Sequence, residues 1–446
     1  MARVLLLATT TGYQTRAFGE AAERLGVELV FATDRCANLD DPWQDAAIPI
    51  RFHKEEASVS AIAAAARTRP VDGVLVVGDR PTVIAARVAQ ALGLPWHSAE
   101  AAAVARHKQL TRERLRDAGL PVPWFVTFAV GSDVSAVSQP PAPSLQPPAF
   151  PCVLKPVSLS GSRGVMRADD PASLASAIAR LRALLGSPDV RGERNEAHDT
   201  ALIEGFIPGR EYALEGLMHH GALHTLAIFD KPDPLDGPFF EETIYLTPSS
   251  APAGVQDAIA RTVARAATAL GLSHGPVHAE CRVNDEGVFV LEVAARPIGG
   301  LCARALTFVR GDGSRNAGDT DSRPLEELLL RHALGESPDG WVREAAASGV
   351  MMIPIPRRGI LRGVDGVDAA RAVQHVTDLR ITAKMDQRLA PLPEGASYLG
   401  FIFARAASPR DVERALRDAH ARLRFAIDAE FPVLPAAQVD YNLHHG

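Results

Sequence analysis

The stretch GPVHAECRVNDEGVFVLEVAARPIGG (275–300) reads as two apolar strands, 276–283 and 288–293, folded back around Asn284-Asp285-Glu286-Gly287. The late glycine suits such a turn. Glu280 and Glu292 fall near the strand ends, and strand period two lets hairpin partners about twelve apart share one face. Two carboxylates side by side on a buried face repel unless a cation or a proton lies between them. Mg²⁺ takes a few carboxylates and leaves its other positions to water and phosphate oxygens. Arg296 adds a permanent positive fork four residues on. A buried structural ion network is the plain alternative.

Working outward, TALIEGFIPGREYALEG (200–216) is a strand reaching Glu204, an apolar linker Phe206-Ile207-Pro208, a turn at Gly209 and a strand from Glu211. Such a linker can sandwich a flat base while backbone groups read its edge, and Glu211 can accept from sugar hydroxyls. A solvated hairpin explains the same residues. Further upstream, PCVLKPVSLSGSRGV (151–165) is a strand delivering Lys155 into a small-residue loop, 158–164. Gly161 and Gly164 let backbone N–H groups approach anionic oxygens. A glycine turn in a plain hairpin is again the alternative.

The chain has 446 residues, 47% apolar and 22% charged, with a net charge of −6. Single cores stop growing near ~250–300 residues, so several units are expected. No basic excess supports general nucleic-acid binding. No apolar run nears the ~18–20 residues of a membrane span, and Val4–Ala8 is too short for a leader's core. Cys36, Cys152, Cys281 and Cys302 lack metal-ligand spacing. His274 and His278 are four apart, but Gly275 and Pro276 break the helix such a metal pair needs, so both read as core or surface histidines. A cytoplasmic protein is expected. Lysine occurs five times, at 54, 108, 155, 231 and 384, against 42 arginines. A retained lysine marks a place where a compact ammonium is wanted.

Strands at 4–8, 27–32 and 73–77 alternate with helices at 18–25, 58–67 and 82–92, predicting a doubly wound parallel sheet. GxGxxG is missing after the first strand, and GxxxxGK[ST], GxSxG and HExxH are absent too. Six prolines between 140 and 151 predict an extended connection. The polar stretches 186–199 and 311–322 read as mobile loops. Helices are expected at 172–185, 254–270 and 324–334, and a third, smaller α/β unit from about 349.

Taken in order, these motifs resemble the ATP-grasp superfamily over nearly the whole chain. HKQLTRERLRDAGLPVPWF (107–125) is similar to that family's first phosphate-lysine helix, here Lys108. The resemblance implies an α/β fold: a Rossmann-like N-terminal domain (1–105), a two-part ATP-grasp core (106–345) with a mobile lid at about 125–203, and a small C-terminal α/β domain (346–446) like that of biotin carboxylase relatives. It implies that Lys155 is the second phosphate lysine, with Ser160, Gly161, Ser162 and Gly164 in the nucleotide loop. Glu204, Phe206, Ile207 and Glu211 match the adenosine linker. Glu280 and Glu292 match the Mg²⁺ ligands, with Mn²⁺ as a substitute, and Arg296 the arginine beside the transferred phosphate. One departure is Ala294, where the family often places a further metal ligand, Asn.

The implied chemistry is ATP-dependent activation of a carboxylate as acyl phosphate, followed by capture with an amine. FDKPDPLDGPFFEETIYLTPS (229–249) resembles the corresponding part of L-amino-acid ligases, where an acidic residue meets the substrate's α-amino group. Glu242 is the best match and Glu241 the second; Arg296 and Gly299 would face the substrate. Partners are then small molecules rather than nucleic acid or membrane, and a homodimer is compatible with the family. Another carboxylate–amine ligase of this fold, purine-pathway or natural-product, is the first alternative. A relative that binds ATP without turnover is the second.

Overall fold

The apolar run Val4–Ala8 is completely buried, because strand Arg3–Ala8 lies inside a four-stranded parallel sheet. Glu28–Asp34 and Gly73–Val77 flank it, and Ile48–Ile50 forms the edge beyond Glu28–Asp34. A strand covered on both faces needs apolar residues at every position. Helices Gly12–Leu25, Glu55–Thr68 and Thr82–Leu92 alternate with these strands. The last ends at Gly93, whose φ of 67° is the left-handed cap. This computed structural model describes residues 1–9, 12–34, 47–132, 149–311 and 322–430. Cys36, most of the proline-rich connection and most of the 311–322 loop lie outside the described residues.

Two short helices, Ala99–Ala105 and Lys108–Asp117, lead into a second sheet. His107 caps the latter helix, so Lys108 stands at its first position. The second sheet orders Phe125–Ala129, Thr200–Gly205, Cys152–Pro156 and Met166–Ala168, all antiparallel. Helix Pro171–Leu185 covers one face, started by a reciprocal hydrogen-bonded cap between Asp170 and Ser173. The polar stretch 186–199 departs from the loop expected there. It contains a helical turn, Pro188–Arg191, and a 3₁₀ turn, Glu196–Asp199, begun by the Asn195 side chain. His198 is buried and lies 3.1 Å from the Glu193 carboxylate. Polarity there serves local caps and ion pairs.

The central sheet has eight strands. Their order is Gly287–Ala294, Gly275–Asn284, Arg210–His219, Ala222–Asp230, Ile244–Thr247, Ala347–Ile353, Gly400–Ala406 and Val376–Ile381. The expected hairpin is present, with Glu280 directly opposite Glu292. A bulge follows at once, since Cys281 pairs with Val290 and leaves Leu291 over. Such an extra residue re-aims neighbouring side chains. The third unit is not a sheet of its own throughout. Three of its strands extend the central sheet, while Gly359–Asp365, Arg388–Leu389 and Arg424–Asp428 make a small separate one. Alternating apolar residues such as Val350, Met352, Phe401 and Phe403 join the same buried cluster as Leu6, Val76 and Phe229. Amphipathic helix Pro409–His420 covers the other face.

Candidate active site

A cavity of about 620 Å³ is lined by residues of the N-terminal, second and central sheets and of the C-terminal unit. Of the residues singled out from sequence, Lys108, Lys155, Ser160, Gly161, Ser162, Glu204, Phe206, Ile207, Glu211, Glu242, Glu280, Glu292, Arg296 and Gly299 line it. Gly164 does not. It sits behind the loop at φ 76°, where an added Cβ would meet Leu181, Leu184 and Pro156 at 3.0–3.2 Å. Glu241 does not line the cavity either, which separates it from its neighbour Glu242.

The strand Cys152–Pro156 presents Lys155 to Glu204, and Arg112 forks the same carboxylate at 2.7 and 3.1 Å. Arg112 and Glu204 are each only 2% exposed. Burial alone would raise the Glu204 pKa, but Arg112 and Lys155 bring it down to about 2. Burial pulls Lys155 below the usual lysine range, against Glu204. Lys108 donates to the Leu159 carbonyl at 2.7 Å and lies 3.6 Å from Glu292. Its own N–H binds the Val157 carbonyl, tying the helix start to the glycine loop. In the linker, Phe206 stacks on Phe240 at 6.4 Å, with Arg167 over its ring. The Phe206 N–H goes to the Pro151 carbonyl and the Ile207 carbonyl to Arg282.

The acidic wall is organised by a lysine that sequence reading left unused. Lys231, 3% exposed, donates to Glu242, Glu211 and Glu280 at 2.7, 2.8 and 3.0 Å. Glu211 also accepts from Arg282 at 3.0 Å, so both its oxygens are engaged within the protein. Tyr245 lies 2.9 Å from Glu242 and 3.2 Å from Glu280. His278, expected in core or surface, is buried and also faces this wall. It is 3.0 Å from Glu215 and 3.7 Å from Glu280. Burial would depress it, but hydrogen bonds to these two carboxylates raise it to about 9, so it is an imidazolium at neutral pH. Four carboxylates, Glu211, Glu215, Glu242 and Glu280, thus meet three cations, Lys231, Arg282 and His278. Burial and the adjacent Glu280 charge raise Glu242 to about 7, burial also raises Glu215, and Lys231 holds Glu280 well below the usual range.

Arg296 is fixed from outside its own sheet, its Nε donating to Asp79 at 2.6 Å and its Nη1 to the Pro297 carbonyl. Asp79 follows the strand Gly73–Val77, so the N-terminal sheet helps build this wall. The C-terminal unit contributes Thr382, Gln387, Ser397 and Tyr398. Neither contribution was foreseen from sequence. Lysine scarcity was the signal available for Lys231; Asp79 and the C-terminal lining carry none.

The donor set suits Mg²⁺. Glu280 and Glu292 are opposed, hard oxygen donors at 21% and 29% exposure on the cavity wall, and Ala294 offers only a methyl group. Glu211, Glu242 and Glu280 also come within ligand distance of one another, but Lys231 already occupies their centre.

The matched families cover this architecture in order: an ATP-grasp N-terminal domain over residues 19–96, an ATP-grasp domain over 148–305, and an L-amino acid ligase C-terminal domain 2 over 351–428. The chain belongs to the ATP-grasp superfamily. This ATP-grasp protein is an ATP-dependent, ADP-forming carboxylate–amine ligase. It is similar to the L-amino acid ligase of Bacillus licheniformis, at 26% identity and a TM-score of 0.74, covering 96% of this chain and 99% of that one. It is also similar to dapdiamide A synthase of Enterobacter agglomerans, 31% identical over 152 residues, 34% of each chain. The biotin carboxylase of Campylobacter jejuni shares the fold, at 15% identity and a TM-score of 0.61 over 95% and 92% of the two chains. Among the described residues, no helix is long and apolar enough to cross a membrane.

Proposed function

We propose that this ATP-grasp ligase activates the carboxyl group of an L-amino acid and joins it to an amine, giving a dipeptide or amide. The observation that carries the reading is the charged lining of one cavity. Lys108 lies beside Glu292, Lys155 beside Glu204 and Arg296 on Asp79, and Glu242 stands in the acidic wall around Lys231. The match over 351–428 supports an amino acid in particular, because that unit supplies cavity wall.

The substrate carboxylate oxygen attacks the γ-phosphorus of ATP, giving an acyl phosphate and ADP. The amine nitrogen then attacks the acyl carbon, phosphate departs, and the amine's spare proton passes to phosphate or solvent. Two anions must approach in the first step, and preorganised positive groups lower its barrier most. Lys108 and Lys155 would hold phosphate oxygens, and Ser160, Gly161 and Ser162 would present backbone N–H groups. Phe206 and Ile207 would enclose the base. Arg296, locked by Asp79, would draw carboxylate and γ-phosphate together. Glu280 and Glu292 would hold Mg²⁺, or Mn²⁺, which would neutralise phosphate charge. Glu242 would take the α-ammonium, whose positive charge removes the reason for its raised pKa. Gly299 would leave room beside the carboxylate.

The reading includes unit boundaries near 105 and 345, a lid at about 125–203, small-molecule partners and a cytoplasmic site of action. Its test is phosphate release from Mg-ATP against pools of L-amino acids, with products identified by mass. Turnover that requires amino acids is expected. Turnover with other carboxylates alone, or ATP binding without turnover, would overturn it.

A further inference from the structure

A second cluster lies at the opposite end of the strands that carry the acidic wall. His219 ends the strand Arg210–His219, His274 immediately precedes Gly275–Asn284, and His332 sits in the last turn of helix Leu325–Ala333. His274 is four residues from His278, about 13 Å along an extended strand. One ring nitrogen from each of the three comes within 4.8 Å of the others. His219 Nδ1 and His332 Nε2 are 3.2 Å apart, and the rings of His274 and His332 stack at 4.3 Å. His332 is 2% exposed and His274 7%, while His219 is only half-buried and gives access from solvent.

The protein's own groups leave this cluster unfinished. Among the described residues His274 Nδ1 is buried without a hydrogen-bond partner, an expense that a native fold seldom bears for nothing. The adjacent His97 is different: its two ring nitrogens engage the Pro276 carbonyl and the Ser273 N–H. We propose that His219, His274 and His332 bind one transition-metal ion of the zinc class, apart from the ligase cavity. Imidazole nitrogen suits Zn²⁺, Co²⁺ and Ni²⁺ rather than Mg²⁺. With zinc–nitrogen bonds of about 2.0–2.1 Å, the edge of a tetrahedron is about 3.3–3.4 Å, close to the existing His219–His332 spacing. The carbonyl end of the helix bearing His332 adds negative potential. Burial and the neighbouring imidazoles bring His274 to about 4 and His332 to about 3, so both are unprotonated at neutral pH, as ligation requires. Three histidines leave the fourth position to water. A bound ion would brace the strand ends four residues from Glu215 and His278.

The test uses the full chain, freed of metal by chelator and then titrated with Co²⁺. One Co²⁺ per chain with tetrahedral visible bands, displaced by Zn²⁺, is expected. His219→Gln, at the half-exposed position, should weaken uptake by about tenfold or more. His274→Gln provides a second variant, and uptake measured in excess Mg²⁺, which prefers the cavity's carboxylates to imidazole, should be unchanged. Zn²⁺ should raise the wild-type Tm and leave that of His219→Gln where it is. The absence of Co²⁺ uptake at micromolar concentrations, or uptake indifferent to both histidine variants, would overturn the site.

Discussion

At the residue scale, Lys231 is a buried cation held by three acids, so its removal strands charge rather than merely losing a contact. Breaking such a group typically costs about 3–5 kcal/mol. Lys231→Ala should therefore unfold at markedly lower urea than the wild type at pH 8, with partial recovery at pH 5 as the freed carboxylates protonate. Equal loss at both pH values would refute this account. Glu242 and His278 make a further prediction. A pKa raised from 4.5 to about 7 means that the stability associated with protonated Glu242 is complete below pH 4.5 and lost as pH rises through 7. For His278 the loss runs from 6.5 through about 9. Glu242→Gln should thus gain Tm over the wild type progressively between pH 4.5 and 7, then level off; a constant offset would count against it. For catalysis, Lys155→Ala or Lys108→Ala should slow turnover by about 10²-fold, read as steady-state phosphate release. Lys155 and the paired glutamates were legible in sequence because strand and hairpin spacing places them, whereas Lys108 came from the family resemblance alone. Lys231 meets Glu280 across 49 positions and Arg296 meets Asp79 across 217, and no local pattern encodes such pairs.

At the scale of the element, the glycine loop separates two requirements for the same residue type. Gly161 has φ 64° but no described residue within 4 Å of an added Cβ, whereas Gly164 is also hemmed in by Leu181, Leu184 and Pro156. A left-handed non-glycine residue costs roughly 1–2 kcal/mol from the backbone alone. Gly164→Ala should then lower Tm more than Gly161→Ala. If the loop cradles phosphates, Gly161→Ala should instead raise the KM for ATP. Hydrogen exchange across 158–164 should slow when Mg-ATP binds; equal exchange in both states would argue against a lid. Strands and long helices were readable because their apolar periods are strong. The helical turns in 186–199 were not, since their stability comes from caps and from pairs such as Arg163–Asp189.

Across the whole molecule, the C-terminal unit is bound into both sheet and cavity. Ile244–Thr247 pairs directly with Ala347–Ile353, and Gly164 donates to the Pro393 carbonyl. A chain ending at residue 345 should lack cooperative unfolding and expose an apolar sheet edge, which circular dichroism melts and dye binding would detect. Independent two-state melting of that fragment would show the division near 345 to be real in folding as well as in sequence. The parallel sheet and the ATP-grasp motifs were visible in their own segments. This joint was hidden because strands at 244–247 and 347–353 look alike whether they are neighbours or not.

That joint also has a consequence for synthesis on the ribosome. The central sheet places Ile244–Thr247 beside strands that emerge about a hundred residues later, and Gly400–Ala406 is among the last to appear. Pairings so distant in sequence delay folding, and translation delivers only about 5–20 residues per second. For several seconds the nascent chain therefore carries an open strand edge and an unroofed cavity, and its dependence on chaperones should be greatest in that interval.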